Sequence, residues 1–263
     1  MQSMVIHDVA LHFRDEGPRK GPAVVFSNSL GTDFRIWRPM LPHLPDSLRI
    51  VRYDKRGHGL SDCPPGPWTI EDHAADLAGL MDRLGVRDAV VVGLSVGGMI
   101  AQALAAARPD LTRALVLCDT AAKIGTAQIW DERLAAIEAG GIEAQADAIM
   151  VRWFTEPFRE DRARLAPWRA MLTRTPLAGY VETGRAIRDA DLRAAAPSLA
   201  LPVLAVAGRQ DGSTPPEVVR ATAELIPGAR FEVIEDCAHI PCVEQPAALG
   251  RLIAGFLRQI GHV

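Results

Sequence analysis

Residues 89–107 read AVVVGLSVGGMIAQALAAA and carry no charged side chain. An apolar run of about 20 residues is long enough to cross a bilayer as a helix, but Gly93, Gly97 and Gly98 interrupt this one in its middle. Before them Val90, Val91 and Val92 are β-branched and suit a buried strand; after them the alanine-rich residues 99–107 suit a helix. The stretch therefore predicts strand, tight turn and buried helix. Within the turn, Gly93-Leu94-Ser95-Val96-Gly97 fits G-x-S-x-G. Small residues two positions either side of the serine let strand and helix approach, and the strained turn pushes the hydroxyl outward as a nucleophile. A glycine-rich loop can instead cradle a dinucleotide, but that loop belongs to the first strand-helix turn, with an acidic residue about 20 positions on. Here several strand-like runs come first.

Outward from that turn, short apolar runs alternate with helical patterns. Residues 5–13 and 23–26 read as strands, with an antiparallel opening hairpin expected there. Residues 49–53 and 89–92 flank a helix in which Leu77, Leu80, Met81 and Leu84 recur at helical spacing, with Thr69 and Asp72 as a candidate capping box. That is one βαβ unit, hence parallel pairing. Further strands are expected at 114–118, 202–207 and 230–234, and their continuous apolar character implies a sheet covered on both faces.

Between Thr120 and Leu201 no strand pattern appears, and Gly140-Gly141, Pro157, Pro167 and Pro176 break a helical one. Three of the five tryptophans, Trp130, Trp153 and Trp168, fall in this segment. The expected organisation is an α/β core formed by residues 1–120 and 201–263, with residues 121–200 inserted as a helical lid over a pocket.

Composition narrows the function. The chain has 263 residues, 48% hydrophobic and 23% charged, with a net charge of −3. That balance offers no electrostatic footprint for nucleic acid or an anionic membrane, which leaves a small molecule as the expected partner. Cys63, Cys118, Cys237 and Cys242 are too scattered for a disulfide framework, and no spacing suits a metal site. The first 17 residues lack the basic start and apolar run of a signal peptide, so a reduced, cytoplasmic enzyme without cofactor or metal is expected.

A serine nucleophile needs a base within about 3 Å and a third group to fix that base's tautomer. His7, His12, His73 and His262 read as ordinary strand, helix and tail residues. His239, in Asp236-Cys237-Ala238-His239, follows the last expected strand, where active sites of open α/β sheets collect. His58, in Asp54-Lys55-Arg56-Gly57-His58-Gly59, also follows a strand, but it precedes Ser95, against the order serine, acid, histidine, and reads as turn architecture. Asp211, after the strand at 202–207, is the preferred acid; Asp119, after the strand at 114–118, is its rival. The oxyanion of a tetrahedral intermediate would be met by the backbone N–H of Val96 and by that of Leu30, in Ser27-Asn28-Ser29-Leu30-Gly31-Thr32.

Taken together, Asn28 to Thr32, Asp54 to Ser61, Gly93 to Gly98, Asp211 and His239 resemble the α/β-hydrolase superfamily along essentially the whole chain. A narrower resemblance is to the 3-oxoadipate enol-lactonases of the β-ketoadipate branch of aromatic catabolism. It is carried by Asn28-Ser29-Leu30-Gly31-Thr32-Asp33 with Trp37, LRIVRYDKRGHGLS at 48–61, Thr120 to Gly125 with Trp130, Arg152-Trp153-Phe154-Thr155, and Cys242-Val243-Glu244-Gln245-Pro246. Val96, where many relatives have Met, and Ala238, where Gly or Ser is common, depart from the pattern without removing a functional group.

The resemblance implies hydrolysis of an unsaturated five-membered lactone bearing an acetate arm, through Ser95, His239 and Asp211. The free carboxylate of such a substrate calls for a cation. Trp130 and Arg133 share one helical face and are the candidates, against a reading in which Trp130 packs and Arg133 is solvated; Lys123, Arg152 and Arg185 are rival cations. A general carboxylesterase or a cofactor-free perhydrolase, haloperoxidase-like, would share the triad without the lid pattern. Haloalkane dehalogenation needs a carboxylate at the position of Ser95. A binding protein with a spoiled triad is the reading from outside enzymology.

Overall fold

In the computed structural model, which describes residues 1–263, each apolar run becomes a strand of one eight-stranded sheet. The strands are β1 (Gln2–Ile6), β2 (Val9–Glu16), β3 (Ala23–Ser27), β4 (Arg49–Tyr53), β5 (Ala89–Leu94), β6 (Thr112–Cys118), β7 (Val203–Gly208) and β8 (Arg230–Ile234). Their spatial order is β1-β2-β4-β3-β5-β6-β7-β8; β1, β2 and β4 pair antiparallel, and all other neighbours pair parallel. Every residue of β3, β5 and β7 is buried, as expected of strands covered on both faces, whereas the edge strands β1 and β8 are mostly exposed or half-buried.

The helices follow in chain order. They are α1 (Ile70–Leu84), α2 (Val96–Ala107), α3 (Ala127–Trp153), α4 (Glu156–Glu160), α5 (Arg162–Thr173), α6 (Leu177–Asp189), α7 (Pro216–Leu225), α8 (Pro241–Glu244) and α9 (Pro246–Gln259). The capping box at α1 is formed: Thr69 Oγ1 accepts from the Asp72 amide at 3.1 Å, and the Asp72 carboxylate accepts from the Thr69 amide at 2.8 Å. Gly85, left-handed at φ 62°, ends the helix. Residues 89–107 become β5 and α2, and no helix of the chain is long and apolar enough to cross a membrane.

Three details of the sequence reading are corrected. Residues 5–13 are not one strand: His7 and Asp8 take φ of 46° and 64°, the left-handed pair of a tight hairpin turn, so the opening hairpin joins β1 to β2. The β3 segment lies in the parallel interior, not in that hairpin. The β4-α1-β5 unit is parallel, but its strands are not neighbours, because the fully buried β3 sits between them.

Residues 121–200 contain helices and short turns and no strand. Gly141, at φ 75° and ψ 168°, breaks α3 into two helical pieces. This segment packs α3 on α5 and α6, and its Trp130, Leu134, Ile137 and Tyr180 belong to the same continuous apolar core as the sheet.

Candidate active site

Ser95 occupies the turn between β5 and α2 at φ 56° and ψ −122°, a strained conformation for a residue with a Cβ. The flanking glycines are required sterically. A Cβ on Gly93 would stand 2.3 Å from the Gly97 carbonyl oxygen, and one on Gly97 only 2.0 Å from that of Ser27. The turn is tied to the end of β6, since the Ser95 amide donates to Cys118 O at 3.0 Å and Thr120 Oγ1 donates to Ser95 O at 2.6 Å. Asp119, between those two anchors, lies in a cluster with Asp211 and His239 whose polar atoms are all within 4.8 Å of one another. Ser95, Asp211 and His239 are thus brought to one edge of the sheet from three distant parts of the chain.

His239 Nδ1 and Asp211 Oδ2 are 2.8 Å apart, both side chains essentially buried. Thr214 Oγ1 donates to the same carboxylate at 2.7 Å, and the Ser213 amide to its other oxygen at 2.7 Å. Burial alone would raise the Asp211 pKa, but His239 and these donors outweigh it and hold the carboxyl below its ordinary value. The rival acid behaves oppositely. Asp119 is fully buried, accepts one bond from the Gly208 amide at 2.7 Å and leaves its other oxygen unpartnered. Burial, and then the neighbouring Asp211 charge, push its pKa well above the ordinary carboxylate range.

The loop after β3 is held by the Asp54–Gly59 motif. Asp54 accepts from the Phe34 amide at 2.8 Å and from the Leu60 amide at 3.0 Å, and pairs with His12 Nδ1 at 2.8 Å. His58 Nε2 accepts from the Gly31 amide at 3.0 Å, which puts the ring proton on Nδ1, 3.2 Å from Arg56 O. His58 is therefore architectural, as its loop context implied. Neither the Leu30 nor the Val96 amide is taken up by a turn, cap or side-chain acceptor.

In the helical segment two of the three rival cations are spent elsewhere. Lys123 Nζ donates to Arg188 O at 2.7 Å and Ala190 O at 2.8 Å, closing the end of α6, while Arg185 pairs with Glu138 and Glu182. Trp130 is buried, its indole N–H donating to Ile124 O at 2.7 Å, with the Arg133 guanidinium 4.9 Å over its ring. Its polar edge is committed to the backbone, so only a ring face remains to be offered. Arg133 and Arg152 have no carboxylate within salt-bridge reach. Burial and the nearby Arg133 charge lower the Arg152 pKa, and both guanidiniums act on the buried Tyr180 hydroxyl, whose pKa burial raises. Tyr180 closes on the loop after β3, at 3.1 Å from the position of a Cβ on Gly31, and Arg152 flanks Gly212, beside Asp211.

Comparison with known proteins accords with this architecture. A family model described as the alpha/beta hydrolase fold matches residues 22–139 and 137–246. The chain belongs to that family. It is 33% identical to 3-oxoadipate enol-lactonase 2 of Acinetobacter baylyi, over 98% of this chain and 96% of that one. The crystal structure of the enol-lactonase from Burkholderia xenovorans LB400 superposes with a TM-score of 0.94 at 38% identity, covering 98% of this chain and 100% of the other. A putative non-heme bromoperoxidase, BpoC, of Mycobacterium tuberculosis is 28% identical over 96% of this chain and 99% of its own. This α/β hydrolase is thus similar to hydrolases of small molecules.

Several contributors were not singled out from sequence. Thr214 carries no local signal, and Thr120 stood only at the head of a motif used for resemblance. Glu244 stood within a motif used only for resemblance, yet it accepts from the Thr155 amide at 3.0 Å, from the Thr155 hydroxyl, and from the Ala238 amide at 2.8 Å.

Proposed function

We propose that this chain is a serine hydrolase that opens 3-oxoadipate enol-lactone to 3-oxoadipate, with the helical segment as its lid. The observation that carries the reading is the His239–Asp211 pair, 2.8 Å apart, at the sheet edge where the strained turn holds Ser95. In this mechanism Ser95 Oγ attacks the lactone carbonyl while His239 Nε2 takes its proton, worth roughly 10²–10⁴ in rate. Asp211 fixes the imidazole through Nδ1 and stabilises the imidazolium. The Leu30 and Val96 amides receive the oxyanion. Collapse breaks the ring C–O bond; the departing enolate oxygen takes the proton from His239, and the enol relaxes to a ketone. Water, deprotonated by His239, then attacks the acyl-enzyme, and the proton returns to Ser95 as 3-oxoadipate leaves.

The substrate's free carboxylate is assigned to Arg133 and Arg152. Their lack of an internal carboxylate, beside Tyr180 and Gly212, supports this, since two half-buried guanidiniums without a carboxylate partner leave donors free for an anion. Similarity to the bromoperoxidase favours a second reading, a general esterase or perhydrolase with the same triad, which has no use for two free lid cations. The test follows loss of the enol-lactone chromophore with the purified protein and its Ser95→Ala form. Equal rates overturn the mechanism. A parent that ignores the lactone but cleaves aryl esters through Ser95 overturns the substrate and favours the second reading.

A further inference from the structure

Behind the loop after β3 lies Lys55, only 1% exposed, with its ammonium 2.6 Å from Ser29 O and 3.4 Å from Asn28 O. No carboxylate is within salt-bridge distance of it. A buried ammonium without a counter-ion is costly, so its placement needs a return elsewhere. The Ser29 carbonyl and the Leu30 N–H belong to one peptide group, and the only cis bond in the chain is Gly66-Pro67. In a trans peptide these two groups point in opposite directions. Lys55 therefore fastens, together with the Thr32 hydroxyl that donates to the same Ser29 O at 2.8 Å, the back of the peptide whose front is the unspent Leu30 N–H. The next peptide is fastened independently by the Gly31 N–H to His58 Nε2 bond at 3.0 Å. Two side chains of one loop, three residues apart, thus fix two successive peptide planes.

We infer that Lys55 is a positioning residue of the oxyanion site, whose ammonium orients and polarises the Ser29–Leu30 peptide so that Leu30 N–H meets the charge developing at Ser95. This rests on the reading of Leu30 as an oxyanion donor. Hydrogen bonds in series strengthen one another by roughly 10–30%, and a donor that turns away forfeits about 10²–10³ in rate. The effect appears with the oxyanion, so it falls on kcat and leaves KM alone. Burial draws the Lys55 pKa down to about 7, against the pull of Asp54 and Asp33, so its charge declines above neutrality. The other groups facing it are His58 and His73, whose pKa values burial and then Lys55 lower, and Arg56, paired with Asp76 at 2.7 Å.

The experiment measures kcat and KM for p-nitrophenyl acetate from about pH 6 to pH 10, using the parent, Lys55→Met, Lys55→Gln and Ser95→Ala. For Lys55→Met, kcat should fall roughly 10–100-fold with KM within about twofold, and the alkaline decline of the parent's kcat should vanish. Lys55→Gln, which keeps an N–H donor without the charge, should fall between the two and show no alkaline limb; it carries the test if the methionine form does not fold. A folded variant with the parent's kcat and the parent's alkaline limb overturns the inference, and so does a variant altered only in KM. If Ser95→Ala is inert while Lys55 variants match the parent, the inference alone fails. If Ser95→Ala is as active as the parent, the hydrolase reading beneath it fails as well.

Discussion

Asp119 and Asp211 are both buried carboxyls beside His239, and their surroundings drive them apart. Asp211 collects two donors and the imidazole, which hold its carboxyl below its ordinary pKa, while Asp119 has one amide and a like-charged neighbour, and its pKa is pushed well above the ordinary range. Only the ionised group can stabilise an imidazolium. Asp211→Asn should therefore cost about 10⁴ in kcat by fixing the wrong tautomer. Asp119→Asn, at a carboxyl whose hydrogen bond goes to the Gly208 amide and not to His239, should cost less than about tenfold; steady-state rates on one aryl ester decide between them. Lys55 gives a residue-scale prediction about stability. Its pKa is about 7 in the fold against the ordinary 10.5, so between those values the unfolded chain binds the extra proton. Stability then rises with pH, and the urea midpoint of the parent relative to Lys55→Met should climb from about pH 7 to pH 10.

At the scale of elements, the His239 loop before α8 and the end of α3 are fastened to each other. The His239 amide donates to Trp153 O at 3.1 Å, and Glu244 bridges Ala238 to Thr155. Two of the motifs that carried the enol-lactonase resemblance, Arg152 to Thr155 and Cys242 to Pro246, are therefore the two halves of one joint. Glu244→Ala leaves two buried amides and a hydroxyl without an acceptor, a penalty of about 1–3 kcal/mol for each lost partner. Urea unfolding should show a loss of about 3 kcal/mol for that variant and less for Glu244→Gln, which keeps one acceptor oxygen. The α3 helix shows the reverse situation. Its break was legible in Gly140-Gly141, but the direction of its Arg133–Trp130 face depends on packing against α5 and α6.

Across the whole molecule, the proposed reacting groups are covered. Ser95 is 8% exposed and His239 2%, and the apolar core continues from the sheet into the helical segment. A cleft of about 770 Å³ on the other side of the loop after β3, lined by His12, Arg52 and Met171, contains none of the three catalytic candidates. A buried nucleophile and base should favour short acyl groups. Across p-nitrophenyl esters, kcat/KM should drop more than about tenfold from acetate to octanoate, because a long chain must displace close-packed side chains.

The strand–turn–helix at 89–107 and the serine in its turn are local patterns, set by steric demands that act within a few residues. The sequence by itself determined those, together with the helical character of residues 121–200. The hairpin turn at His7-Asp8 and the insertion of β3 between β4 and β5 were settled by strand pairing. The pairing of His239 with Asp211 and not with Asp119, the engagement of Lys123 and Arg185 by other partners, and the burial of Lys55 against Ser29 O were decided only by the tertiary structure. Each depends on burial and on partners many residues away, and electrostatic energies are fixed by distance through space, which spacing along a chain does not encode.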